Sequence, residues 1–240
     1  MESHVERVGK CLFLTNGNEK VLVVGDLHIG FQQALNDAGI LVSRQMFDEL
    51  IGDFDKIFKK INTVVDKIIL LGDIKHDFGQ ISKEEWNDLL KLFDYLIPKC
   101  KKLILIKGNH DNMLEPVAKK RELKLHDYYC WEEFCFLHGH DDHKKLWEDD
   151  KIKTIIVGHG HPALKLRDGG RSEKYKCFLY GKLKRKNLII VPSFSEWYAG
   201  SDPREGDVVL AWDINFDNFN VFVVSDNLEV LDFGKLKKIK

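Results

Sequence analysis

Val21-Leu22-Val23-Val24-Gly25-Asp26-Leu27-His28 carries four apolar residues into a glycine and then into a carboxylate and an imidazole. The pattern recurs four more times. Ile68 to Leu71 ends in Gly72-Asp73, Leu103 to Ile106 in Lys107-Gly108-Asn109-His110-Asp111, Phe134 to Leu137 in His138-Gly139-His140, and Thr154 to Val157 in Gly158-His159-Gly160-His161-Pro162. Short apolar runs bounded by glycine read as buried strands. With each run a strand, every polar cluster falls at a strand's carboxyl end, the edge at which open α/β sheets bind ligands.

The segments between these runs support that reading. Leu12 to Leu14 and Val21 to Val24, separated by Asn16-Gly17-Asn18, predict a hairpin at the start of the fold. Phe47, Leu50, Ile51, Phe54, Ile57, Phe58 and Ile61 recur at helical spacing and predict a helix over Arg44 to Lys60. Ser82 with Glu85 forms a capping box before the stripe Trp86, Leu89, Leu90, Phe93, which stops near Pro98. Strand, helix, strand alternation implies right-handed crossovers and a largely parallel sheet. The last third differs. Val208 to Trp212, Phe219 to Val224 and Leu228 to Leu231, separated by Asp-Asn turns, predict antiparallel strands without intervening helices. Arg167-Asp168-Gly169-Gly170-Arg171 reads as a hairpin turn. No Pro- or Gly/Ser-rich linker interrupts the chain. The expectation is one α/β domain over residues 1–240, with two mixed β-sheets packed as a sandwich and helices outside.

The 240 residues are 44% hydrophobic, with 37 basic against 38 acidic side chains and a formal net charge of -1. That composition belongs to a globular chain rather than a disordered one. Near-zero net charge excludes a global field for polyanions, so an anionic ligand must be held locally. No run reaches the roughly eighteen apolar residues of a membrane span, and Met1 to Arg7 lacks the apolar region of a secretory signal. Five cysteines, odd in number and without a Cys-x-x-Cys pair, argue against a disulfide framework and a zinc knuckle and point to the cytoplasm. The Gly-x-Ser-x-Gly elbow, the Walker-type phosphate loop and the dinucleotide Gly-x-Gly-x-x-Gly are all absent.

The residue types at the strand ends select the chemistry. Carboxylate, imidazole and carboxamide groups without thiolates suit Mn, Fe, Co, Ni or Zn better than magnesium or calcium, which want oxygen alone. Seven candidate ligands exceed the needs of one tetrahedral ion but suit two divalent ions sharing a bridging carboxylate. Paired metals are a recurrent clamp for displacement at phosphorus. Turn chemistry alone accounts for Asp, Asn and Gly, but not for repeated histidines.

In this order the motifs Gly25-Asp26-x-His28, Gly72-Asp73, Gly108-Asn109-His110, His138 and Gly158-His159-Gly160-His161 resemble the signature of the calcineurin-like metallophosphoesterase superfamily. Gly72 to Gly79 and Pro192-Ser193-Phe194-Ser195 resemble its compact branch of archaeal SbcD-related and DNA-ligase-associated phosphodiesterases. The resemblance implies a four-layer α/β/β/α fold. It implies that Asp26, His28 and His161 hold one metal ion, that Asp73 bridges, and that Asn109, His138 and His159 hold the second. Manganese is the expected ion, a bridging hydroxide the expected nucleophile, and His110 the general acid, with Asp111 hydrogen-bonded to His110. His140 competes with His138 and is expected just behind the ligands, and Asp111 also reads as a helix N-cap. His76 and Trp197, with Tyr198, are candidate substrate contacts, although turn and packing roles stand beside that reading. The lysine-rich stretches around Lys184 and Lys237 read as solvated faces. The expected partner is a phosphate ester, nucleotides and nucleic acids included, with no membrane and no identified protein. Two alternatives remain: a nuclease working with an ATPase, for which the roughly 80 residues after His161 leave no separate capping domain, and a non-catalytic scaffold like the retromer subunit of this fold.

Overall fold

The structure, a computed structural model, describes residues 3–42, 45–79 and 81–239. One sheet contains β1 (His4–Val8), β2 (Cys11–Asn16), β3 (Glu19–Val24), β4 (Val65–Leu70), β5 (Cys100–Ile106) and β6 (Leu125–His126), in that spatial order. Its first three strands are antiparallel, and β3 to β6 are parallel. Gly17 and Asn18 form the β2–β3 turn, with Gly17 at φ 59°. The crossovers contain α1 (Phe31–Asp37) and α2 (Met46–Ile61), then α3 (Lys83–Leu96), then α4 (Glu115–Lys119).

The second sheet comprises β7 (Tyr128–Trp131), β8 (Phe134–Leu137), β9 (Thr154–Val157), β10 (Ala163–Asp168), β11 (Arg171–Leu183), β12 (Lys186–Ile190), β13 (Asn220–Val224) and β14 (Val230–Lys235). Its order is β14-β13-β11-β12-β9-β8-β7, with β10 paired to β11. The short helix α5 (Lys144–Glu148) precedes β9.

Strand alternation sorts the core into layers. On β3, Leu22 and Val24 face α2 and α3, where they meet Phe54, Ile57, Leu89 and Phe93. Val21 and Val23 face the other sheet and pack with Phe136, Ile156, Phe178 and Ile189. Both faces are apolar because both are covered. Full burial of a side chain such as Phe54 contributes about 1.5–3 kcal/mol. On the far side of the second sheet, Leu137, Ile155, Val157 and Leu188 are covered by Leu146 of α5, Phe219 and Leu236. Two mixed sheets therefore form a sandwich flanked by helices, as expected.

Local sequence signals map well onto the helices. The predicted helix over 44–60 runs from Met46 to Ile61, Arg44 lying outside the described residues, and its seven apolar positions all join the helix-side core. Ser82 Oγ accepts the Glu85 N–H at 3.0 Å, and the Glu85 carboxylate accepts the Ser82 N–H in return. Pro98 lies in the 3-10 turn that ends α3.

Two expectations are corrected. Val208 to Trp212 is irregular, not a strand. Leu210, Trp212, Ile214 and Phe216 do alternate, but they pack onto the back of the second sheet rather than pairing as a strand. Among the described residues this stretch makes a backbone hydrogen bond from Ala211 N–H to Gly139 O and no strand ladder. Cysteine pairing is the second correction. Cys130 and Cys135 are register partners on β7 and β8, with Cα atoms 4.1 Å apart, and are joined by a disulfide. Spacing along the chain does not reveal cross-strand proximity. Cys11, Cys100 and Cys177 are free. Among the described residues no helix is long and apolar enough to cross a membrane.

Candidate metal centre

Five strand ends meet at one edge of the sandwich. The turn after β3 is tied to the turn after β4 by Leu27 and His28 N–H groups, both donating to Asp73 O at 3.1 and 2.9 Å. Left-handed backbone follows: His28, Asp73, His159 and His161 have φ of 50°, 46°, 61° and 41°. Such conformations cost on the order of 1–3 kcal/mol at a non-glycine residue and persist where surrounding structure imposes them. The turns also need bare glycine. A Cβ on Gly108 would lie 2.2 Å from both N and Oδ1 of Asp73.

The side chains converge in two carboxylate-containing groups, each with donor atoms within 4.8 Å of one another. Asp26, His28, Asp73 and His161 form one, with His161 Nε2 3.1 Å from Asp26 Oδ1 and 3.3 Å from His28 Nε2. Asp73, His138 and His159 form the other, with His138 Nε2 3.3 Å from Asp73 Oδ1 and 3.1 Å from His159 Nδ1. Asn109 Oδ1 lies 3.0 Å from the same His138 nitrogen. Asp73 thus belongs to both groups. His138 rather than His140 joins them; the His140 ring is 5.2 Å from that of His138, with its buried Nδ1 lacking a protein partner.

The electrostatics suit cations. Burial alone would raise the Asp26 carboxyl, but His161, His138 and His28 outweigh it and hold it well below the usual carboxylate range. Asp73 is likewise lowered against the cost of burial, chiefly by His138. Burial pushes His28 down to about 3 and His159 to about 4, leaving neutral imidazoles with free lone pairs. His138 goes the other way, to about 9, because Asp73 and Asp26 overcome its burial. Two buried carboxylates, the neutral His28 and His159 imidazoles and a carboxamide oxygen are a donor set for divalent transition ions, which His138 would join by releasing its proton on ion binding.

Beside these groups lies a third cluster, His28, His76 and His110. His110 Nε2 lies 3.7 Å from Asp73 Oδ2, and its Nδ1 faces the backbone carbonyl of His76 at hydrogen-bonding contact. His76 Nδ1 is 3.5 Å from His28 Nδ1. Asp111 does not reach His110. Its carboxylate accepts backbone N–H groups of Gly108, Ile74 and Lys75 at 2.8, 3.0 and 3.1 Å, joining the two central turns. Nor does its side chain cap a helix: Asp111 is the first residue of the 3-10 turn Asp111–Met113, whose cap position is His110, and none of its carboxylate's bonds goes to an N–H of that turn. Burial and the Asp73 charge push its carboxyl up to about 6.

Aromatic residues frame the centre. Phe78, a residue to which the sequence pattern assigns no role, lies over His110. Tyr198 stacks on His28 with centroids 4.6 Å apart and an interplanar angle of 16°. Trp197 stands farther out, donating Nε1–H to Glu49, beside a cavity of about 270 Å³ whose wall includes His28, Phe31, Phe47 and Phe194.

A two-sheet sandwich whose strand-end turns assemble paired Asp/His donor groups defines a metallophosphoesterase. The calcineurin-like phosphoesterase family model matches residues 19–226, and the chain belongs to that family. No curated protein matches the sequence. Among solved structures, the Pseudomonas putida nuclease MPE shares the fold, with a TM-score of 0.63 at 17% identity over 97% of this chain and 100% of that one. A double mutant of Vps29 from Entamoeba histolytica matches with a TM-score of 0.38 at 15% identity over 89% of this chain and 99% of its own.

Proposed function

We propose that the protein is a phosphodiesterase that uses two divalent transition-metal ions, manganese in the working enzyme, with His110 as general acid. The observation that carries this reading is the position of His110. Its Nε2 faces Asp73, the carboxylate common to both donor groups, while its Nδ1 is committed to the His76 carbonyl. Asp26, His28, Asp73 and His161 would hold one ion, and Asp73, Asn109, His138 and His159 the other. Ions bound there polarise phosphoryl oxygens and lower the pKa of water toward neutrality.

The chain's own groups do the rest. With Nδ1–H donated to the His76 carbonyl, protonated His110 presents Nε2–H to the leaving oxygen, a role worth typically 10²–10⁴-fold in rate. His76, its pKa lowered by burial and by His110, adds a neutral ring beside the phosphate position. Asp111 keeps the Gly72–Asp73 and Gly108–Asn109 turns in register through its three backbone contacts. The preference for diesters rests on the resemblance of Gly72 to Gly79 and Pro192 to Ser195 to the SbcD-related and DNA-ligase-associated branch. The test is manganese-dependent hydrolysis of bis(p-nitrophenyl) phosphate by wild type and His110→Ala. The variant should lose activity while retaining its metal; an unchanged rate would remove His110 from the mechanism.

A nuclease is the second reading. Phe78 and Trp197 are 59% and 42% exposed near the centre, and exposed rings stack on unpaired bases. Hydrolysis of single- against double-stranded DNA, measured across salt concentrations, separates it from a small-diester enzyme.

A further inference from the structure

The loop from Pro192 to Tyr198 is held from two sides. On one side, the N–H groups of Phe194 and Ser195 donate to the Asp26 carbonyl at 2.9 and 3.3 Å. On the other, Lys176 Nζ reaches up from β11 and donates to Ser193 Oγ, Ser195 O and Tyr198 O at 2.6, 2.6 and 2.8 Å. All three donors of the ammonium are therefore matched by acceptors in this one loop. The loop delivers the Tyr198 ring. That ring stacks on His28 and stands edge-on to His161, its centroid 4.6 Å from each. Its other ring neighbours among the described residues are Phe31 and His76. Neither His138 nor His159 is among them.

We infer that Lys176 is a positioning residue: it clamps the Pro192–Tyr198 loop so that the Tyr198 ring fixes the His28 and His161 imidazoles, and thereby tightens one of the two metal positions selectively. The inference rests on the two-metal reading proposed above. A flat ring against His28 and an edge against His161 restrict both imidazoles to the orientations in which their Nε2 atoms lie 3.3 Å apart. Removing the clamp takes the Lys176 donor from Ser193 Oγ, Ser195 O and Tyr198 O, leaving Ser195 O with only the longer 3.5 Å contacts from Tyr198 N–H and Ser193 Oγ, and the loop loses its side-chain tie to β11. Asn109, His138 and His159, which belong to the other group alone, keep their own contacts and serve as an internal control.

The experiment is a Mn²⁺ titration of the full chain by calorimetry and electron paramagnetic resonance, supported by the visible spectrum of the Co²⁺-loaded protein. Wild type should bind two ions. Lys176→Met and Tyr198→Leu should weaken one of them about tenfold or more, the loss seen when partners that orient metal ligands are removed, and leave the other unchanged. Tyr198→Phe, which keeps the ring, should bind as wild type does. Adding Lys176→Met to Tyr198→Leu should bring no further loss. Wild-type binding of both ions in either single variant overturns the inference, as does equal weakening of both ions, the mark of general loosening. Should Lys176→Met fail to fold, Tyr198→Leu, which leaves Lys176 in place, decides the inference by the same criteria. A wild type that binds two ions but cleaves no ester overturns the proposed activity alone, whereas an active enzyme whose variants bind both ions normally overturns this inference alone.

Discussion

The ring of Phe78 lies 3.7 Å, centroid to centroid, from the ring of His110, and more than half of Phe78 faces solvent. An exposed aromatic ring in that position does not stabilise a core. It offers a stacking surface next to the proposed general acid, worth about 1–3 kcal/mol to an aromatic substituent. Phe78→Ala should therefore raise KM for bis(p-nitrophenyl) phosphate by roughly fivefold or more on that scale, with metal content unchanged. Steady-state kinetics decide it: a fall in kcat at constant KM would make Phe78 a prop for His110 instead.

Gly108→Ala places a methyl group against the Asp73 backbone nitrogen and carboxylate, both 2.2 Å away. Neither is the loose end of a flexible side chain. Overpacking of this kind costs about 1–3 kcal/mol, and displaced Asp73 donors should cost the protein metal as well. Thermal melting combined with metal analysis checks both; a variant with wild-type melting and metal content would refute the close approach.

Chelation should destabilise the protein. Each ion that binds only the folded chain adds about 2.7 kcal/mol when present at 100 times its dissociation constant. At about 2–4 °C per kcal/mol for a chain of this size, removing two such ions with EDTA should lower Tm by about 10–20 °C. Calorimetry with and without chelator provides the measurement, and identical melts would mean that the donor groups hold no ion under those conditions.

Lys176 predicts a pH dependence whose sign is fixed. Burial, aided by the charge of Lys10, brings its amine down from 10.5 to about 7 in the folded protein. Between those values the unfolded chain binds more protons, so this residue makes stability rise with pH from about 7 to 10.5. Below about 7 the cost of keeping the ammonium buried is present in full. Lys176→Met should lose that rise, so the stability of wild type relative to the variant grows across this window. Parallel denaturation series at several pH values test it, and a constant difference would sink the prediction.

The sandwich and its donor residues were legible because both follow local rules. Apolar runs of strand length, the Ser82 capping box and the stripe from Phe47 to Ile61 state their own conformation, and glycines before Asp73 and Asn109 announce turns. What escaped reading depends on contacts between distant segments. Lys176 sits in an alternating strand like any exposed lysine, and only the fold brings it to residues 193–198. Asp111 looks like a partner for His110 because the two are adjacent, but its carboxylate turns to backbone amides, one from its own turn and two from the strand end after β4. The alternation of Leu210, Trp212 and Ile214 reports a buried stripe, and no sequence rule says whether a strand edge waits beside it. Cys130 and Cys135 face each other through a register that spacing does not encode.

Each donor group spans the sandwich. Asp26, His28 and Asp73 come from the turns of the first sheet, but His161 comes from the second; His138 and His159 come from the second sheet, but Asp73 from the first. Neither sheet carries a complete carboxylate-containing group by itself. A nascent chain with only its first 126 residues folded would have neither of these groups finished, so an ion held as proposed would be captured only after the two halves dock. Under the proposed two-ion reading, occupancy would report that the sheets have met.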